Sequence, residues 1–199
     1  MPDSAAPPPA SSARLHPTWY PPLQLALALC AWCAGVACAG RLQLLVAPLL
    51  AAGLVALHAA VSRRPGEELR LIISALMLGL LADALLAAAG LVRPAPFDGK
   101  FAPPWQLVQW TLPGAALHTW LRWMGSRRLL ATIAAAVAAA LGGLVAHTLG
   151  ALRFPTGTLP ALAGIALSWG LAMPMLLSWR ARLDRHRLRT AAALPTPPG

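Results

Sequence analysis

Charge is scarce in this chain of 199 residues: only 11% of side chains carry it, and only six of those are acidic. A soluble domain of this size is about a quarter charged. An ordinary water-facing surface is therefore excluded. Disorder over most of the chain is excluded too, because it needs low hydrophobicity and 58% of these residues are apolar. Several chemical signatures are also missing: no phosphate-binding glycine loop, no H-E-x-x-H, no G-x-S-x-G and no histidine boxes of the di-iron membrane enzymes. Cysteine is limited to Cys30, Cys33 and Cys38. Cys30-x-x-Cys33 has the spacing of a metal or redox pair, but it has no second pair and no nearby acid. The spacing predicts that both serve as small packing groups on one face of a helix. The sequence thus predicts no metal and no cofactor.

What is present is a set of long apolar runs. About 20 apolar residues cross a bilayer as a helix. Six stretches qualify, at about 23–40, 42–62, 71–92, 105–124, 129–152 and 158–179. Pro48, Pro113 and Pro174 fall inside three of them and predict kinks. The fourth holds Gln106, Gln109, Thr111, His118 and Arg122, so the other helices should shield it. The fold class is therefore all-α, a polytopic bundle of six transmembrane helices. Residues 1–22 and the last ten, rich in proline and alanine, read as disordered tails. Residues 180–199 form a basic and then Pro-rich C-terminal tail. Trp19, Trp105, Trp123 and Trp179 lie near span ends, where an aromatic belt belongs.

The net charge of +10 would suggest nucleic acid in a soluble protein. Here the basic residues sit between spans, so nucleic acid is not an expected partner. With six spans, 12 of the 16 Lys and Arg fall on one side and 4 on the other. That bias places both termini in the cytoplasm and the chain in the inner (plasma) membrane as a multi-pass protein. Membrane lipids and other inner-membrane proteins are the expected partners. Ala37-Cys38-Ala39 also resembles a signal-peptidase site, but the Pro-rich segment before it argues for a retained first span. Fifteen arginines against one lysine, with abundant alanine, fit a GC-rich bacterial genome.

Ionisable groups inside spans are costly and are functional candidates by default. Asp83 lies in the third span, on one face with Gly79 and Gly90, and should point into the bundle. His118 belongs to a stripe of Thr111, Gly114, Ala115, His118 and Arg122 at helical spacing. Depth along each helix lets His58, His118, Arg122, Glu67 and Glu68 share a cytoplasm-facing pocket with Asp83 at its floor. The catalytic candidates are His118 as acid/base and Asp83 as its orienting or proton-accepting partner. Arg122, His58 and Trp120 are the substrate-binding candidates, Arg122 for a headgroup phosphate. Against these stand plainer readings: Asp83 as a hydrogen-bonded packing residue, and His147 as a helix-packing hydrogen bond.

Several elements together resemble a known family. They are Trp32, Ala56-Leu57-His58, Gly79-Leu80-Leu81-Ala82-Asp83, Pro104-Trp105-x4-Trp110 and Leu117-His118-Thr119-Trp120-Leu121-Arg122-Trp123. Leu149-Gly150-Ala151 and Trp169-Gly170-Leu171-x2-Pro174 close the pattern. The chain resembles the domain of unknown function 2878 family of small bacterial polytopic membrane proteins, over about Leu23 to Trp179. It departs at Leu117, where the family pattern has asparagine, and around Gly142-Gly143, where a small-Pro-Ser-Tyr element is expected. The resemblance implies a helical inner-membrane protein without an assigned activity, in a setting of membrane fatty-acyl modification. Three functions follow as expectations. The first is an accessory or structural factor in membrane lipid metabolism. The second is a lipid-directed enzyme using His118, Asp83 and Arg122. The third is a small proton-coupled transporter centred on Asp83.

Overall fold

The computed structural model describes residues 16–39, 45–95 and 104–192. Six helices run in order: α1 Tyr20–Ala39, α2 Val46–Val61, α3 Pro65–Ala88, α4 Pro104–Ala116, α5 Arg128–Thr148 and α6 Thr158–Ala192. Four of them, α1, α3, α5 and α6, are long and apolar enough to cross a membrane, while α2 is a shorter apolar helix. Their surfaces are those of a protein solvated by lipid. Leu69, Ile73, Met77, Leu81 and Leu85 recur every four residues along α3, and all are exposed. Ile133, Val137 and Leu141 on α5, and Leu167, Leu171 and Met175 on α6, do the same. A soluble protein does not expose apolar stripes of this extent. The interior instead holds Ala28, Ala31, Ala75, Ala131, Ala135, Ala161 and Gly79, small residues that let helices approach without a hydrophobic drive between them.

Helix α4 is the centre of the bundle and packs on α1, α2 and α3, while α5 pairs with α6 and α6 reaches α3. Trp105, Val108, Trp110, Ala115 and Ala116 of α4 are all buried, which fits its predicted shielding. The expected span at 105–124 is shorter as a helix: α4 stops at Ala116, three residues after Pro113. A turn at Leu117–Leu121 and a short 3-10 helix at Arg122–Ser126 complete it. The freed carbonyls are taken up locally. Thr119 donates to Ala115 and Ala116, Gln24 of α1 donates to Ala115 at 3.1 Å, and Arg180 of α6 donates to Leu117 at 2.7 Å.

Two further boundaries differ from expectation. Pro48 is the third residue of α2 rather than an internal kink, a place where its missing N–H has no intrahelical partner to lose. The chain is also in place from His16, ahead of the expected tail boundary at residue 22, and both His16 and Tyr20 are buried. The rest of the N-terminal tail, the segment around Arg41, residues 96–103 and residues 193–199 lie outside the described residues.

Helices α3 and α5 end alike. Gly90 and Gly150 adopt left-handed φ of 69° and 76°. Leu91 N–H reaches back to Leu86 and Ala151 N–H to Ala146, the six-to-one bond of a Schellman cap. The two exits then pair as a short antiparallel ribbon, Arg93 opposite Arg153 and Pro94 opposite Leu152. This pins α3 to α5 at the end of the bundle remote from Glu68.

Candidate functional site

Polar side chains concentrate in two places. The first is a buried cluster at the end where α1 and α3 begin and α2 ends. Glu68, in the first turn of α3, is almost fully buried. A carboxylate only accepts hydrogen bonds, so each nitrogen facing it is a donor. His118 Nδ1 donates to Oε1 at 3.0 Å, His16 Nε2 to the same oxygen at 3.3 Å, and His58 Nε2 to Oε2 at 3.2 Å. The Tyr20 hydroxyl donates to His58 Nδ1 at 3.0 Å. Gln24 lies 3.3 Å from the same nitrogen and accepts from Thr119. His118 Nε2 faces Asp184 of α6 at 3.6 Å, and Asp184 also pairs with Arg180. Burying a carboxylate is costly unless it is paired and hydrogen-bonded. Three imidazoles and the N-terminal end of α3, where the helix dipole favours a negative charge, meet that need.

The second place is a cavity of about 420 Å³ among α1, α3, α4, α5 and α6. Its walls are mostly apolar, with Trp32, Leu86, Ala139, Gly142, Ile165 and Met173 among them. Asp83, Gln106 and Gln109 also line it. Trp105 Nε1, Trp120 Nε1 and Gln106 Oε1 belong to lining residues and are buried with no hydrogen-bond partner among the described residues. Asp83 has one: Trp110 Nε1 donates to Oδ2 at 2.8 Å. Trp110 in turn stacks on Trp169, with centroids 4.1 Å apart. Leu29 of α1 and Ala138 of α5 line the cavity and are also exposed, so it reaches the apolar side of the bundle.

The family is legible from the chain as a whole. The model of the family described as "Protein of unknown function (DUF2878)" matches residues 22–175. This chain belongs to the DUF2878 family. No curated protein and no solved structure matches it. The matched stretch contains His58, Glu68, Asp83 and His118, whereas His16, Tyr20, Arg180 and Asp184 of the polar cluster lie outside it.

Of the residues singled out in this DUF2878 protein, His58 and His118 meet, through Glu68. Asp83 does not join them. It lies 15 residues beyond Glu68 on α3, about 22 Å along the axis, and lines the cavity, whereas His118 does not. Trp120 lines the cavity. Arg122 is exposed in the 3-10 helix, and its carbonyl accepts from Arg180 at 3.4 Å. The stripe from Thr111 to Arg122 assumed one continuous helix, and the break after Ala116 turns Arg122 away. Glu67 pairs with Arg64 at 3.1 Å instead of facing the cluster. His147 does make a packing hydrogen bond, to the carbonyl of Leu152 at 3.0 Å, and stacks on Phe154. Cys30 and Cys33 are free and exposed rather than packed against a neighbouring helix.

The sequence reading passed over His16, Tyr20, Gln24, Thr119 and Arg180. A signal existed for one of them: Gln24 is a lone amide in an otherwise apolar first span, where an unpartnered polar group is costly. His16 carried none, since it belongs to a Pro-rich stretch with the composition of a tail.

Proposed function

We propose that this protein crosses the bacterial inner membrane six times with both termini in the cytoplasm, and binds a lipid-like amphiphile between its helices. It thereby acts as an accessory factor in membrane lipid metabolism. The cavity around Asp83 carries this reading. Its volume falls within the range of about 300–1,000 Å³ typical of small-molecule sites. Its walls suit an aliphatic chain, and Asp83 and Gln109 among the lining residues suit a short polar head. Exposed Leu29 and Ala138 at its edge favour entry from the lipid side rather than from water.

The topology draws support from the helix directions. In an alternating six-helix path, the end carrying Arg63, Arg64, Arg127, Arg128 and the basic stretch of α6 is the cytoplasmic one. The lipid-directed enzyme remains the alternative. It would require His118, Asp83 and Arg122 to serve one pocket, and their separation favours binding over catalysis.

The test is quenching of intrinsic tryptophan fluorescence by brominated fatty acid in detergent. Trp32, Trp105, Trp120 and Trp169 all line the cavity. Saturable quenching is expected in the wild type, and it should be lost in Ala138→Phe, which fills the mouth. Quenching that is non-saturable, or equal in Ala138→Phe, would defeat the reading.

A further inference from the structure

Three lone-pair donors converge at the Glu68 cluster. One donor atom from each of His16, His58 and Glu68 lies within 4.8 Å of the other two, and all three residues are buried. We propose that His16, His58 and Glu68 bind a divalent transition-metal cation of the zinc type, with the carboxylate held in place by His118.

Spacing is the first argument. Zinc bonds to histidine nitrogen and carboxylate oxygen are about 2.0–2.2 Å long, and tetrahedral angles put neighbouring ligand atoms roughly 3.3 Å apart. His16 Nε2 and His58 Nε2 already lie 3.3 and 3.2 Å from Glu68 oxygens. These distances run to the two different carboxylate oxygens, so a cation needs the three ligand atoms, now within 4.8 Å of one another, to draw in towards that spacing. Each ring would bind as a neutral imidazole with its one proton on Nδ1, so the Nε2 proton that faces Glu68 in the metal-free cluster shifts to Nδ1 and the freed lone pair takes the metal.

Ligand chemistry is the second. Two imidazoles and one carboxylate suit zinc and its neighbours in the first transition row. Magnesium and calcium are poorly matched, since they prefer oxygen ligands. Three protein ligands leave a fourth position for water or a substrate atom, the arrangement of catalytic rather than structural zinc.

The surroundings are the third. The Tyr20 hydroxyl sits 3.0 Å from His58 Nδ1 and can turn to accept from it once Nε2 carries the metal. His118 Nδ1 donates to Glu68 at 3.0 Å. Partners of this kind orient metal ligands, and their loss typically weakens affinity about 10–100-fold. His16 Nδ1 is buried without a partner among the described residues, and the ring is held by Nε2 on Glu68 and by packing against Tyr20 and His58. The site ties the segment before α1 to the start of α3, closing the cluster from one side.

Full-length protein, purified in detergent with its affinity tag removed and stripped by chelator, tests this directly. Zinc is counted by elemental analysis after dialysis, and Co²⁺ absorption reports the ligand field. One equivalent per chain is expected, unaffected by excess Mg²⁺ or Ca²⁺. His16→Ala and Glu68→Gln should lose it, and Tyr20→Phe should bind about 10–100-fold more weakly. His16 precedes the helices, so His16→Ala keeps the test decisive if Glu68→Gln misfolds. Zinc should also raise the Tm of the wild type but not of His16→Ala. Absence of saturable zinc binding, or a full equivalent retained by His16→Ala, overturns the proposal. Neither result bears on the cavity, which shares none of these residues.

Discussion

The indole nitrogen of Trp110 donates to Asp83 at 2.8 Å, from a ring that lies flat over Gly79 one turn earlier on α3. The bond gives a carboxyl inside the bundle a dedicated donor, and it fixes α4 against α3. Asp83→Asn keeps an acceptor and should melt close to wild type. Asp83→Leu leaves the buried Trp110 N–H unpaired, at a cost of about 1–3 kcal/mol, read as a lower Tm in detergent.

Gly79 is the complement of that contact. A Cβ there would meet the Trp110 ring at 1.9–2.4 Å. Trp110 is fully buried and stacked on Trp169, so it has nowhere to retreat. Gly79→Ala should destabilise by about 1–3 kcal/mol or more. Gly53 in α2 has nothing within 4 Å of its Cβ position, and Gly53→Ala should be neutral or stabilising by up to about 1 kcal/mol. Thermal unfolding of the two variants side by side measures the contrast.

Arg180 holds the broken end of α4 by donating to Leu117 at 2.7 Å. A hydrogen bond from a charged donor contributes about 1.5–3 kcal/mol. Arg180→Met should loosen residues 117–127 specifically. Faster amide exchange and earlier proteolytic cleavage in that segment, with the helices unchanged, are the expected signs.

The six-crossing path predicts where new cysteines react. Cys30, Cys33 and Cys38 must first be replaced. On that background, Ser126→Cys should label with a membrane-impermeant maleimide only from the cytoplasmic side, and Thr156→Cys only from outside. Labelling of both from one side would defeat the topology.

Much of the fold was legible because lipid imposes simple rules. The apolar runs located all six helices, and the polar residues of 105–124 announced a shielded helix, which α4 is. Helix ends were less legible. Pro113 hinted at trouble in α4, but the stop at Ala116 depends on Gln24, Thr119 and Arg180 taking its carbonyls. Two of those partners come from α1 and α6, distant in sequence. The candidate site suffered most from this break. A straight helix would align Arg122 with His118, and the turn at Leu117–Leu121 separates them.

The sequence by itself determined the solvent and the inventory: a lipid-embedded helical chain with so few ionisable groups that His58, Asp83 and His118 stood out. Tertiary structure alone decided their company. Helix period assigns a residue a face and a depth, but which neighbour occupies that face is settled by long-range packing. Thus Glu68, expected only to share a pocket with His58 and His118, became the buried centre of three histidines, one drawn from an apparent tail. Asp83, expected beside His118, found Trp110 and a cavity about four turns away along α3.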